Sequence, residues 1–338
     1  MVGALPVRLS AQRDLVGLPE RFAASFLLPS AYRMSAPARP RPRPTEFQVW
    51  GCRGSRSLVP HTSEIGNYTS CYSVLHGSEL FVFDAGRGLA ALGRALFRDK
   101  AFSRVRRVHI LLSHAHMDHW EGIKDAEWFW AARNGIEVQI LGTAETLGAV
   151  RTGYSHPMYV ALELLSKRTL RGLSWRMLRA GDRRRISGFA LRTEPLFHYS
   201  GEGRSFRVLD AIGFRLTAPD GATIAYLSDH EPRPSTATAE RALLAGANLA
   251  IYDAHWPNVR DHMHGHGSQE HAARMAREHP QALVLAGHHS PSFTDRQIRS
   301  AFRRHRRGTP NFDLAIEGEI WRFDPRQGTF RPKKADAR

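Results

Sequence analysis

A chain of 338 residues is long enough for one large α/β domain or two small ones, and 42% hydrophobic content supplies a buried core. Its 48 Lys and Arg against 32 Asp and Glu give a formal charge of +16, but the excess is mostly Arg scattered along the chain, as on a generally basic solvated surface. Two cysteines, Cys52 and Cys71, exclude a disulfide framework and a four-cysteine zinc site; with no apolar run of ~20 residues and no secretory signal, they point to a reduced cytoplasmic protein without a membrane partner.

Residues 1–45 are rich in Arg and Pro, ending in the run Ala36 to Pro44, and are expected to be a disordered extension; Met34 is an alternative start to Met1. Short β-like runs follow at Phe47 to Trp50, Cys71 to Leu75 and Leu80 to Phe83, with turn signals between them. Leu89 to Phe97 has helical apolar spacing, Val108 to Leu112 reads as a buried strand, and Glu121 to Asn134 reads as a helix stopped by Gly135. Strands are expected at Val138 to Leu141, Ala190 to Thr193, Ile212 to Leu216 and Thr223 to Leu227. A helix near Glu240 to Ala245, the strand Leu249 to Tyr252, the helix Gln269 to His279 and the strand Ala282 to Leu285 complete the pattern. Two facing sheets with helices outside would bury all these faces. One folded domain over 46–325 and a frayed basic tail over 326–338 are expected.

Between a buried strand and the expected helix, Ser113-His114-Ala115-His116-Met117-Asp118-His119 crowds four metal-binding side chains onto one tight loop. A cluster of surface histidines without a ligand is the blander account of so dense a motif. His61, His76, His109, His156, His255 and His279 have no motif around them and read as ordinary polar residues. Trp120, Trp128, Phe129 and Trp130 read as packing.

At this loop the sequence resembles the metallo-β-lactamase superfamily, whose signature is His-x-His-x-Asp-His, and the resemblance runs from about Phe47 to Phe323. The segments Gly51 to Ser55 and Gly66 to Cys71 are similar to the opening of the subgroup holding phosphoribosyl cyclic phosphate phosphodiesterases and ribonuclease Z-like tRNA 3′-processing endonucleases. The resemblance implies an αββα sandwich of two facing mixed sheets and a hydrolase domain. It also implies two divalent ions: His114, His116 and His198 on one, Asp118, His119 and His288 on the other, with Asp229 and a hydroxide between them. Asp84 would orient a ligating imidazole. His289 competes with His288, and alternate residues of a strand end face opposite ways, so one of the pair reaches the metals. Zinc is the expected metal, with manganese or iron next.

His266, in a Gly-His-Gly-Ser context where the family has Gly-His-Ser-Thr, is implied to protonate a leaving group, making Asp118, Asp229 and His266 the catalytic set. The reaction implied is cleavage of a small or cyclic phosphodiester. A tRNA 3′-processing endonuclease is the alternative, but only thirty residues separate His198 from Asp229, which leaves no room for a long tRNA-clamping arm. A lactone or thioester hydrolase, and a metal-binding interaction protein without turnover, are further readings; a complete set of seven ligands argues against the last. A small anionic diester is the expected partner, nucleic acid the less favoured one, and a homodimer is compatible.

Overall fold

Buried segments of β-branched and aromatic residues separated by turn-forming glycines dictate short strands, and the chain builds them in two groups. The computed structural model describes residues 44–58, 62–132, 134–260 and 262–333. The chain runs through β1 (Glu46–Gly51), β2 (Cys71–His76), β3 (Glu79–Phe83), α1 (Leu89–Arg98), β4 (Arg107–Leu111), β5 (Glu137–Gly142), α2 (Ala144–Gly153), α3 (Leu162–Thr169) and β6 (Gly172–Met177). It continues through β7 (Arg183–Ile186), β8 (Phe189–Pro195), β9 (Tyr199–Ser200), β10 (Arg207–Val208), β11 (Ile212–Thr217), β12 (Thr223–Leu227) and α4 (Ala237–Leu244). Last come β13 (Leu249–Asp253), α5 (Gln269–Glu278), β14 (Leu283–Gly287), α6 (Asp295–His305), β15 (Phe312–Leu314), β16 (Ile320–Asp324) and β17 (Thr329–Pro332).

One sheet of eight strands has the order β17-β16-β1-β2-β3-β4-β5-β6, and a second of seven has the order β15-β14-β13-β12-β11-β8-β7. Each is antiparallel on one side and parallel on the other: β3 to β6 run parallel, as do β12 to β15. Parallel neighbours need a crossover, which the α-helices supply except between β4 and β5, where short 3₁₀ turns do. The alternation of side chains along β3 shows the layering. Leu80 and Val82 pack outward with Leu89, Leu92 and Leu96 of α1, while Phe81 and Phe83 face the second sheet. There Phe83 stacks on Tyr226 at 5.2 Å between ring centroids and 10° between planes. On the far side, α4, α5 and α6 bury Leu243, Ala272 and Ile298. The fold is the expected sandwich of two mixed sheets between helices. Among the described residues no helix is long and apolar enough to cross a membrane.

Two expectations change, and a third falls almost wholly outside the described residues. Where one helix was expected over Glu121 to Asn134, the chain makes short 3₁₀ turns at Glu121–Asp125 and Glu127–Phe129, after another at Met117–His119. The cause is close docking: a Cβ at Gly122 would lie 2.0 Å from the Gly86 carbonyl oxygen, and the extended backbone of Ala126 (ψ 116°) breaks the coil so that Trp128 and Phe129 can both be buried. The expected extension over 1–45 falls, apart from Pro44 and Thr45, outside the described residues, as do Met1 and Met34; Thr45 itself is buried, its N–H donating to Asp220 Oδ2 at 2.8 Å. The tail expected to fray from 326 instead pairs as β17 against β16, with Phe330 packed on Phe323 at 5.3 Å; residues 334–338 lie outside the described residues.

If β17 belongs to the folded core, Phe330→Ala costs about 3 kcal/mol of unfolding free energy by denaturant titration. A change below ~0.5 kcal/mol would restore the tail to a loose appendage.

Candidate metal centre

The side chains that carry chemistry sit where strands end. The C-terminal ends of β3, β4, β12, β13 and β14 deliver Asp84, the loop of His114 to His119, Asp229, Asp253 with His255, and His288. In parallel sheets that rim is where helices and loops leave a crevice. Asp84, Asp229 and His288 hold positive φ angles of 54°, 42° and 53°, a conformation that costs L-residues of order 1–3 kcal/mol and persists where the surroundings impose it.

His114, His116, His198 and Asp229 bring ligand atoms within 4.8 Å of one another, and so do Asp118, His119 and His288. The Asp229 carboxylate lies between the two sets. Its Oδ2 is 3.7 Å from His114 Nε2 and 3.6 Å from His198 Nε2, while Oδ1 is 3.2 Å from His119 Nε2 and 2.8 Å from His288 Nδ1. All seven residues expected as ligands therefore converge. His288 faces the cluster, whereas His289 turns away so that its Nε2 meets the Ala315 carbonyl at 3.3 Å. Gly54 makes the room: a Cβ there would lie 2.3 Å from His288 Nε2.

Neighbouring groups orient the rings. Asp84 Oδ2 accepts from His119 Nδ1 at 2.6 Å, Ser113 Oγ lies 2.9 Å from His114 Nδ1, and the Gly265 carbonyl accepts from His198 Nδ1 at 2.7 Å. In each case the other nitrogen is left for the centre. Burial removes protons from His114, His116 and His198, pushing the last down to about 3, so these imidazoles are neutral and available as ligands. Burial works against charge on His119 too, yet Asp229, Asp118 and Asp84 outweigh it and raise its pKa. Carboxylates arranged this way call for positive charge at that spot. Consistently, His114 Nε2, His119 Nε2 and Asp118 Oδ2 are buried without a hydrogen-bond partner. Buried polar atoms rarely stay unpaired, and three aimed into one N/O-rich pocket fit divalent cations.

His266 lies at the edge of this cluster, its Nδ1 3.9 Å from Asp229 Oδ2. Its firm partner is Asp253, at 2.9 Å, a residue that sequence reasoning missed. Burial alone would lower the His266 pKa, but the charges of Asp253, Asp229 and Asp118 raise it. Asp253 also accepts from the backbone N–H groups of His230 and His255, each at 2.9 Å. His255, read as an ordinary polar histidine, is in fact part of the site: its ring stacks on His266 at 4.2 Å and 10°, and with His266 and His288 it forms a third group of close nitrogens. The signal was available, because Asp253 ends a buried strand as Asp84 and Asp229 do, with a histidine two residues on. His76 and His109 lie elsewhere, paired with Asp220 and Glu79; His61 is outside the described residues.

In solved structures the fold is shared widely. YhfI from Bacillus subtilis, a metallo-β-lactamase fold protein, superposes with TM-score 0.59 at 18% identity, covering 82% of this chain and 99% of its own. A diphosphatase of the PhnP family gives 0.57 at 16% identity, covering 83% and 98%, and the short form of human tRNase Z gives 0.54 at 16%, covering 81% and 98%. At such identities the likeness is one of fold alone. No curated protein matches by sequence. The family model described as the beta-lactamase superfamily domain matches residues 80–289, most of the chain and most of the centre, and the chain belongs to the metallo-β-lactamase superfamily.

Proposed function

We propose that the chain is a hydrolase with two divalent metal ions, a phosphodiesterase acting on a small or cyclic phosphodiester. The observation that carries this reading is Asp229, one carboxylate whose two oxygens face two separate ligand sets. His114, His116 and His198 would hold one ion and Asp118, His119 and His288 the other, with Asp229 shared between them. The donor set suits zinc first, then manganese or iron. Ions held there supply Lewis acidity to a phosphoryl group and to water.

The chain's own residues do the rest. Asp84, Ser113 and the Gly265 carbonyl hold the imidazoles in the tautomers that face the centre. Because Asp253 occupies His266 Nδ1, the proton available to a departing alkoxide is the one on Nε2. Likeness in fold to a PhnP-family diphosphatase supports a phosphorus substrate. Against a tRNA endonuclease stands the segment between His198 and Asp229, where besides the core strands β11 and β12 the chain adds just the two-residue strands β9 and β10 and a 3₁₀ turn at Gly203–Ser205, too short for a clamp. Free, buried Cys52 and Cys71 support a reduced, cytoplasmic setting.

Metal analysis of protein saturated with zinc or manganese is expected to return two equivalents per chain; no more than one would overturn the dinuclear reading. Asp229→Ala should lower turnover of bis-p-nitrophenyl phosphate by ~10²-fold or more with the circular-dichroism spectrum retained. Wild-type turnover in that variant would remove Asp229 from its bridging place. His266→Ala should lower turnover by ~10²–10⁴-fold on diesters with alkoxide leaving groups and much less on p-nitrophenyl esters, with metal content unchanged. Equal losses on both substrates would make His266 structural, and loss of metal would make it a ligand.

A further inference from the structure

On its outer face, apart from the histidine centre, the second sheet carries a concentration of arginines that the proposed reaction does not use. Arg183 of β7, Arg192 of β8 and Arg215 of β11 are cross-strand partners in a single row, with neighbouring strands ~4.8 Å apart. Two residues along the same face, Arg185 pairs with Ala190, and Ala190 with Thr217. The small side chains of Ala190 and Thr217 leave a cavity of about 430 Å³ lined by five arginines, these four and Arg184.

Like charges placed directly across strands repel and weaken a sheet. Neutralisation inside the chain is incomplete. Glu194 pairs with Arg192 at 2.6 Å and Asp182 with Arg184 at 2.7 Å, whereas Arg183, Arg185 and Arg215 make no ion pair among the described residues. Arg215 Nε is buried with no hydrogen-bond partner, and burial together with the Arg192 charge lowers that guanidinium's pKa. Charges on an edge strand deter pairing with other chains, and β7 is such an edge. That duty does not extend to β11, two strands further in.

We propose that this cavity binds a small oligophosphate, whose oxygens accept from the guanidinium forks of Arg183, Arg185 and Arg215. Fork and oxyanion match in geometry as well as charge, and several charged oxygens in one molecule would offset three guanidinium groups at once. The volume is that of a small-ligand pocket, which typically runs from ~300 to ~1,000 Å³, and falls short of what an extended polymer would cover.

The experiment is calorimetric titration of the full chain with inorganic tripolyphosphate at physiological ionic strength. We expect saturable binding, weakened ~10-fold or more in the double variant R183A/R185A and in R215K, which keeps the charge but loses the fork. Metal content and turnover of a small diester should stay as in the wild type. Absence of binding, or wild-type binding in both variants, overturns the site. A loss in R183A/R185A with none in R215K would reduce it to unspecific charge and overturns it as well. A uridylate decamer bound more tightly than tripolyphosphate, with the same dependence on the arginines, would assign the row to a nucleic-acid backbone and end the small-ligand proposal.

Discussion

A carboxylate with no access to water survives in a fold only if donors surround it, and Asp84 shows what that requirement does here. Fully buried at the end of β3, it accepts from Ser113 N–H and Ser113 Oγ at 2.8 Å, and from His119 Nδ1 and Tyr226 O–H at 2.6 Å. Those donors come from the loop after β4 and from β12 in the opposite sheet. Satisfying one charge therefore locks the two sheets in register, fixes the strand-end loop that holds three histidines, and turns the His119 ring. The stack of Phe83 on Tyr226 does the apolar half of the same task one residue away. Removing Asp84 would leave four donors in the interior without an acceptor, so the fold and the centre share a single point of dependence.

The centre itself is an exercise in unbalanced charge. Burial takes the protons from His114 and His198, whereas Asp229 stays ionised against the cost of burial because His119 and His288 lie against it. The strained backbone of Asp84, Asp229 and His288 adds to the cost. Cations in the pocket would offset both. The arginine row on the outer face presents the opposite imbalance, positive groups short of anions, on the same sheet but on strands that the centre does not use for its parallel rim.

How much of this could be read from the sequence follows from distance along the chain. The loop His114 to His119 is local, so its density of ligands is visible without a fold. Asp229 and His288 follow apolar runs that announce buried strands; alternation said that one of His288 and His289 reaches the cluster, and the fold turns His288 there. Asp253 ends a strand in the same way but lies outside the motif that drew attention, and His255 looked ordinary because its partner ring, His266, is eleven residues on. The 3₁₀ turns after His119 depend on the approach of Gly122 to Gly86, a tertiary contact that periodicity does not encode. The same holds for β17, whose alternation is short and basic, and for the arginine row, which exists only once β7, β8 and β11 are placed side by side.

The order in which the centre's residues leave the ribosome gives the gathering of its ligands a direction in time. Synthesis proceeds from the N-terminus, and a domain generally folds as a unit. His114, His116, His198 and Asp229 all lie within the first 229 residues, so one candidate ligand group has been synthesised once the chain passes β12. The other waits for His288 at the end of β14, and the rings of His255 and His266 arrive between the two. A chain ending before β14 would hold His114, His116, His198 and Asp229 but lack His288, the last in sequence of the seven converging side chains.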